Sequence, residues 1–398
     1  MIDRLYDISN KLASNVAVDF ERFLSIEIDW DYKLIGISGA RGSGKTILLL
    51  QQMKKMLEKG KKSLFISLDD IYFTENKLLY FAEEFEKNGG EYLFIDEVHK
   101  YKNWSQELKN IYDTVLDLKV VFTSSSALEI HKGSHDLSRR ALVYKLRGLS
   151  FREFLELKYE IKILPIKLEQ ILENPTEKIK EVNNKIKIFP KFSKYLKEGY
   201  YPFFKDLRLN YLKQLSTTVN LVIESDLPAI HKIDFNSVIK LKKLVSIIAQ
   251  ISPYKPNIEK LAQQVETTRP TLLKYLFYLD KAQILQWLSS DAYGITYLNK
   301  PDKIFLGNTN IAYAFSDSKD NTGNIRETFF LNQLSAKHKV TYPKQGDFLV
   351  DNKYLFEVGG KNKSQKQIAG IKNAYIAADD IEYGYGNRIP LWLFGFLY

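Results

Sequence analysis

Residues Gly39-Ala40-Arg41-Gly42-Ser43-Gly44-Lys45-Thr46 carry the clearest chemistry in this chain of 398 residues. They fit G-x-x-x-x-G-K-[ST], the P-loop pattern that binds phosphate. The glycines let main-chain N–H groups turn inward onto phosphate oxygens, and a helix leaving the loop adds the positive end of its dipole. Lys45 would reach the β- and γ-phosphates, and the Thr46 hydroxyl would ligate Mg²⁺. A second set follows about fifty residues later. Tyr92-Leu93-Phe94-Ile95-Asp96-Glu97 is an apolar run ending in two carboxylates. Asp96 would hold Mg²⁺ through water, and Glu97 would polarise an attacking water as general base. Asp69, Asp70 and His99 are the next candidates for that base.

Chemistry of this kind needs a frame. Lys33–Ser38 reads as a buried strand running into the loop, and Ile47–Leu57 as a helix leaving it. Strands are expected at 33–38, 62–68, 91–96, 119–124 and 141–146, with helices at 46–59, 75–88 and 104–116. Residues 1 to about 30 show an amphipathic helical pattern. Such alternation predicts an α/β fold, a parallel sheet with helices on both faces. The strand at 62–68, between loop and carboxylates, and the glutamate after the aspartate mark the P-loop ATPases that insert a strand and use a catalytic glutamate. In that branch a polar side chain after the next strand senses the γ-phosphate or orients the water. Here Thr123 or Ser124 would do so; the competing reading of this hydroxyl-rich stretch is a helix N-cap.

The composition bounds the rest. There are no cysteines, which excludes disulfides, thiolate catalysis and Cys-ligated zinc, and fits a reducing cytoplasm. The N-terminus lacks a signal-peptide pattern, and no apolar run approaches membrane-spanning length, so no membrane partner is expected. The late apolar run Leu391–Tyr398 has the length of a strand. Lysine plus arginine number 58 against 48 acidic residues, a formal charge of +10. That balance fits a nucleic-acid partner, or a lysine-rich solvated surface.

Beyond about residue 150 the pattern is helical and aromatic to about 234, read as a lid or bundle. Residues 235–300 form a third unit, in which nine basic residues face four acidic ones. A short helix follows Asn257, a turn spans Glu266–Arg269, and a second helix begins near Pro270. Strands are expected at Ile284–Leu288 and Gly294–Leu298. This is the pattern of a winged helix-turn-helix. Arg269, Thr271, Lys274 and Tyr275 would lie on or near the exposed side of its recognition helix. They would contact double-stranded DNA, unless the module only packs against a protein partner. Residues 301–398 form the last unit, with an amphipathic helix over Asn324–Leu334 and a hairpin of Phe348–Val350 with Tyr354–Val358.

Several local signatures coincide: the P-loop, Phe94-Ile95-Asp96-Glu97-Val98-His99-Lys100, Thr123–Leu128, Leu137-Ser138-Arg139-Arg140 and Leu149–Phe154. Together they resemble the bacterial and archaeal predicted AAA-type ATPases that carry a C-terminal domain similar to restriction endonucleases. The resemblance implies ATP and Mg²⁺ as cofactors, and a possible homo-oligomer. It implies four units: an ATPase domain at 1–150, a helical lid at 151–234, a winged helix at 235–300 and a nuclease-like domain at 301–398. It aligns Arg140 with the family arginine, a candidate γ-phosphate contact in cis or from a neighbouring copy. In the nuclease-like domain Glu327, Asp347 and Glu357 would fill the acidic positions around Mg²⁺. Glu357-Val358-Gly359 lacks the lysine of Glu-x-Lys, for which Lys361 or Lys363 would have to substitute, so a degenerate binding domain is expected. The functions implied are an ATPase driving change in a DNA or protein partner, a nucleotide-gated binding module, or an ATP-licensed nuclease.

Overall fold

The computed structural model describes residues 2–124, 137–205, 210–231, 233–251, 253, 255–290, 301–316 and 322–398. It forms two compact units, Met1–Gly148 and Leu149–Tyr398. The first unit runs α1 (Ile2–Asn15), α2 (Leu24–Glu27), β1 (Leu34–Gly39), α3 (Lys45–Glu58), β2 (Ser63–Ser67), α4 (Leu78–Lys87), β3 (Tyr92–Asp96), α5 (Trp104–Thr114), β4 (Lys119–Ser124) and β5 (Leu142–Leu146). The strands lie in the order β2-β3-β4-β1-β5, and every pairing is parallel.

Alternation along each strand builds the two faces. Leu64, Ile66, Leu93, Ile95, Val120 and Phe122 pack toward α4 and α5 with Phe81, Phe85, Trp104 and Leu108. Their neighbours Phe65, Phe94 and Val121 pack on the other face with Ile35, Ile37, Leu48, Leu49 and Met53 of β1 and α3. Both faces are covered over β1 to β4, which are largely buried, while β5 at the sheet's end is mostly exposed. Parallel pairing also brings the C-terminal ends of β1, β3 and β4 to one edge of the sheet. Loops after those ends can meet there.

The second unit is joined through its aromatic residues. Helix Phe151–Tyr159 starts with a capping box, Ser150 accepting from the Glu153 N–H and Glu153 accepting from the Ser150 N–H. Buried Asn310 accepts from the Tyr200 N–H and donates to the Leu196 carbonyl, and Gln333 donates to the Tyr195 hydroxyl. Helices Ile258–Gln264 and Arg269–Lys281 are capped by Asn257 and Thr268. Strand β6 (Leu285–Leu288) follows. Its antiparallel partner is β7 (Lys303–Leu306); the strand expected at Gly294–Leu298 lies outside the described residues. Hydrogen bonds from Gln286 to Ser335 and from the Tyr342 N–H to the Ser289 carbonyl also cross residue 300.

The last sheet contains β8 (Val340–Thr341), β9 (Phe348–Val350), β10 (Tyr354–Gly359), β11 (Ala374–Ala378) and β12 (Arg388–Pro390). Its order is β12-β11-β10-β9-β8. The β8-β9 and β9-β10 pairs are antiparallel, and β10-β11 and β11-β12 are parallel. The run after β12 is not a strand. Leu391–Phe396 winds as a 3₁₀ helix, each of its side chains buried. An apolar run buried all round has no periodicity to tell strand from helix.

Gly39 shows how closely β1 and β5 approach below the loop. A Cβ built there would stand 2.4 Å from the Leu146 carbonyl oxygen and 3.1 Å from Ser43 Oγ. Main chain cannot yield as a side-chain tip can. Gly39→Ala should therefore destabilise the first unit by about 1–3 kcal/mol in urea unfolding. An unchanged midpoint would mean that the two strands part freely.

Candidate active site at the C-terminal edge of the first sheet

The loop predicted to bind phosphate joins β1 to α3 at this edge. Gly42 and Gly44 have φ of 81° and 95°, a region closed to most side chains, and this turns successive main-chain N–H groups one way. Ser43 is fully buried. The Lys45 ammonium, on a side chain buried against the loop, donates to the Gly39 and Ala40 carbonyls at 3.1 Å each. Ala40 is buried, and Arg41 is the half-buried cation of the loop.

Asp96 ends β3 beneath the loop. Thr46 Oγ1 donates to Asp96 Oδ2 at 2.6 Å, and Thr123 Oγ1 donates to Asp96 Oδ1. The same Thr123 oxygen accepts the Glu97 N–H at 3.2 Å. Four predicted residues thus form one hydrogen-bonded chain from loop to β4. Of the two hydroxyls expected to sense phosphate or orient water, Thr123 makes this link; Ser124 is fully buried beside it. Glu97 sits at φ 55°, ψ 41°, a left-handed conformation that swings its side chain away from the line of β3. Its Oε2 lies 3.3 Å from His99 Nε2. Burial above all, then the charges of Lys100, Lys45 and Arg41, push the His99 imidazole down to about 3.

Thr46 and Asp96 offer hard oxygen donors beside the phosphate loop, which fits Mg²⁺. Among the described residues no three His, Asp or Glu side chains gather into a metal cage.

One expected participant stands elsewhere. Arg140 precedes β5, and β5 runs parallel to β1 with Leu142 opposite Ile35. Its place is the other edge of the sheet, roughly six residues or about 20 Å from Gly39 along the strand direction. There its guanidinium grips Asp113 through Nε at 2.8 Å and Nη2 at 3.0 Å. Contact with the γ-phosphate in cis is excluded by that register. A residue the sequence reading missed is Arg22. Buried behind the loop, it donates to the Ser43 carbonyl at 2.7 Å and to the Arg147 and Gly148 carbonyls at 2.7 and 3.0 Å. Nothing local to Arg22 in the sequence signals that role.

The DNA candidates separate. Arg269 and Lys274 are exposed, Arg269 lying 3.6 Å from Glu259. Thr271 is half-buried, its hydroxyl accepting from Thr268 at 3.0 Å. Tyr275 is buried, contrary to expectation, with its hydroxyl on Ser237 Oγ at 2.7 Å. Leu272, Tyr275, Leu276 and Leu279 form the inward stripe of this helix, and their i, i+3, i+4, i+7 spacing was there to be read.

In the last sheet Asp347 accepts the Val358 N–H at 2.9 Å and lies 3.7 Å from Lys363 Nζ. A Cβ on Gly359 would meet the Lys363 stem at 2.7–2.8 Å, so Lys363 fills the space a side chain at 359 would take. Lys361 is exposed, which makes Lys363 the stand-in of the two. Glu327 pairs with Lys303. Glu357 is fully buried, and neither carboxylate oxygen has a hydrogen-bond partner among the described residues. Burial raises the pKa of both glutamates, with Asp347 adding to the shift.

The sequence profile of the AAA domain matches residues 31–155. A profile of a domain of unknown function, DUF8612, matches residues 190–322. An uncharacterized protein of Methanocaldococcus jannaschii is 29% identical over 367 residues, 84% of this chain and 77% of that protein. One of Haemophilus influenzae is 25% identical over 289 residues, 68% of this chain and 66% of its own length. Among solved structures, the replication initiator DnaA bound to AMPPCP and single-stranded DNA is 14% identical, with a TM-score of 0.31, across 68% of this chain and 92% of that one. The AAA match spans the loop, Asp96, Glu97 and Thr123. The first unit thus contains a region similar to the AAA domain, on a parallel sheet of the P-loop α/β kind.

Glu357 yields a test of its own. Its folded pKa lies above its unfolded value of about 4.3. The folded state therefore loses stability as pH rises through the folded pKa, and bears no such cost below the unfolded one. Glu357→Met keeps the length and removes the charge. In EDTA it should melt about 2–4 °C higher at pH 8, the equivalent of ~1 kcal/mol, and the gain should shrink toward pH 4. Calorimetry showing no gain at pH 8 would mean the carboxylate has a partner in solution.

Proposed function

We propose that the chain binds ATP with Mg²⁺ at Gly39–Thr46 and hydrolyses it, and that the cycle changes how the second unit engages DNA or a protein partner. The observation that carries this reading is the chain Thr46–Asp96–Thr123–Glu97. It ties a prospective cation site to a prospective general base through one carboxylate. The loop N–H groups would cradle the phosphates, and Lys45 would exchange its two carbonyl acceptors for phosphate oxygens. Thr46 and Asp96 would hold Mg²⁺, which neutralises charge developing between the β- and γ-phosphates. Glu97 would take a proton from the attacking water, and Thr123 would hold both carboxylate residues in register.

Arg140 can serve only a neighbouring copy in this reading, after release from Asp113. For the second unit, exposed Arg269 and Lys274 support phosphate contact at the start of their helix, with Thr271 beside them; a winged helix is the reading, with β6 and β7 as its hairpin. A degenerate nuclease-like domain fits the sheet that carries Asp347, Glu357 and Lys363, with Lys363 in the lysine position. No described helix is long and apolar enough to cross a membrane. A cytoplasmic location accords with a chain free of cysteine.

Lys45→Ala should abolish tight ATP binding in calorimetric titration, because the β- and γ-phosphates lose their cation. Unaltered affinity would remove the assignment. Glu97→Gln should bind ATP and release at most about 1% of the phosphate of the native chain, since a carboxamide cannot accept the proton. Turnover within a few-fold of native would move the base elsewhere. Binding of double-stranded DNA should weaken steeply with salt, and Arg269→Ala and Lys274→Ala should each lower the log–log slope by about 1. Salt-insensitive binding would leave the helix a packing element.

A further inference from the structure

Strand β7 reads Lys303-Ile304-Phe305-Leu306, and all four residues are buried. A lysine at the head of an apolar strand would ordinarily carry its ammonium out to water. This one does not: its side chain is 9% exposed. Burying an ammonium is costly unless a counter-charge meets it. The Lys303 ammonium donates to Glu327 Oε2, on the helix Thr322–Leu334, and the Glu327 side chain is itself largely shielded. The stem of Lys303 runs beside Phe305, with Nζ 5.3 Å from the ring centroid.

Glu327 is the first of the three acidic positions at which the nuclease-like resemblance places Mg²⁺. The second, Asp347, has Lys363 Nζ 3.7 Å from its Oδ2, which also accepts the Val358 N–H. Lys303 and Lys363 together supply the two positive charges that Mg²⁺ would bring. The third, Glu357, is sealed, with both carboxylate oxygens buried. Mg²⁺ dehydrates reluctantly and keeps several waters, and a sealed carboxylate leaves a hydrated ion no approach. Among the described residues no three His, Asp or Glu side chains could hold a metal ion. The residues present do not fit the metal.

We propose that Lys303 is the resident cation of this site, holding Glu327 in place of Mg²⁺ and fastening β7 to the helix Thr322–Leu334. This rests on the reading of the last sheet as a degenerate nuclease-like domain, and names what stands where the metal would. A covalently tethered ammonium cannot be chelated or exchanged, so the tie is independent of cation supply. Strand β7 is the antiparallel partner of β6, the strand that follows the helix Arg269–Lys281. The hydrogen bond from Gln286 of β6 to Ser335 crosses the same seam. Lys303 thereby turns an acidic set suited to a metal into a joint between the hairpin and the last sheet.

The test uses the full chain without nucleotide, with Mn²⁺ as the probe. Calorimetric titrations of Mn²⁺ into the native chain and into Glu327→Gln should superimpose, because Glu327 is committed to Lys303. Melting in EDTA gives a second readout. Lys303→Met keeps the stem and leaves the Glu327 carboxylate alone in the interior; it should melt about 5–10 °C below the native chain. Lys303→Met combined with Glu327→Met removes both charges and should regain most of that loss. A Mn²⁺ site that Glu327→Gln removes, with no cleavage of DNA by the native chain, overturns the proposal alone. So does a Lys303→Met variant that melts like the native chain, or a double variant no more stable than Lys303→Met. Should Lys303→Met fail to fold, the Mn²⁺ comparison and the double variant decide, since the proposal requires superimposed isotherms and a near-native melt. Mg²⁺-dependent cleavage of DNA by the native chain would overturn the degenerate reading itself, and the proposal with it.

Discussion

The carboxylate of Asp96 is the point on which the first unit turns. One of its oxygens is taken by Thr46, where the phosphate loop becomes a helix, and the other by Thr123, at the end of the next strand. Asp96 is buried, so its oxygens need those donors. The hydrogen bonds that satisfy it also fix three chain segments relative to one another. A parallel sheet delivers its strand ends to one edge, but does not set them within tenths of an ångström. The Asp96 pair of bonds does that locally. Arg22 does it from behind, joining the Ser43 carbonyl to the chain beyond β5.

The second unit follows a different logic. Its polar ties run between aromatic hydroxyls and buried amides, as at Tyr195 with Gln333 and Tyr211 with Asn310. Such networks are costly when incomplete, so they specify one arrangement of otherwise interchangeable apolar helices. Glu357 breaks the pattern, a fully buried carboxylate whose oxygens no donor among the described residues meets. Polar groups left unsatisfied in this way cluster where a protein has chemistry to do or once had it.

How much of this was legible in the sequence depended on how local the cause was. The strands and helices of the first unit are plain because apolar alternation and the phosphate loop are written within a few residues. Thr46, Asp96 and Glu97 come with them. Whether Arg140 could reach the loop in cis was not legible, because its position depends on which strand β5 pairs with and at what register, and a motif cannot carry that. Tyr275 was misread although the signal was local: the stripe from Leu272 to Leu279 includes it. The lysine near Gly359 depended on a turn returning the chain upon itself, so the sequence offered Lys361 and Lys363 alike. Arg22 was invisible, since its partners are carbonyls that any residue could supply.

Glu97 occupies a left-handed backbone conformation, at φ 55°. For a residue with a side chain, that conformation costs on the order of 1 kcal/mol, and glycine escapes it. On the proposed ATPase reading, thermal hardiness and catalytic competence pull this position in opposite directions. A screen of variants for heat resistance alone would then drift toward glycine at 97 and return sturdier proteins without the proposed base. The chain tolerates a weak point in its own backbone to keep an acid beside the phosphate loop.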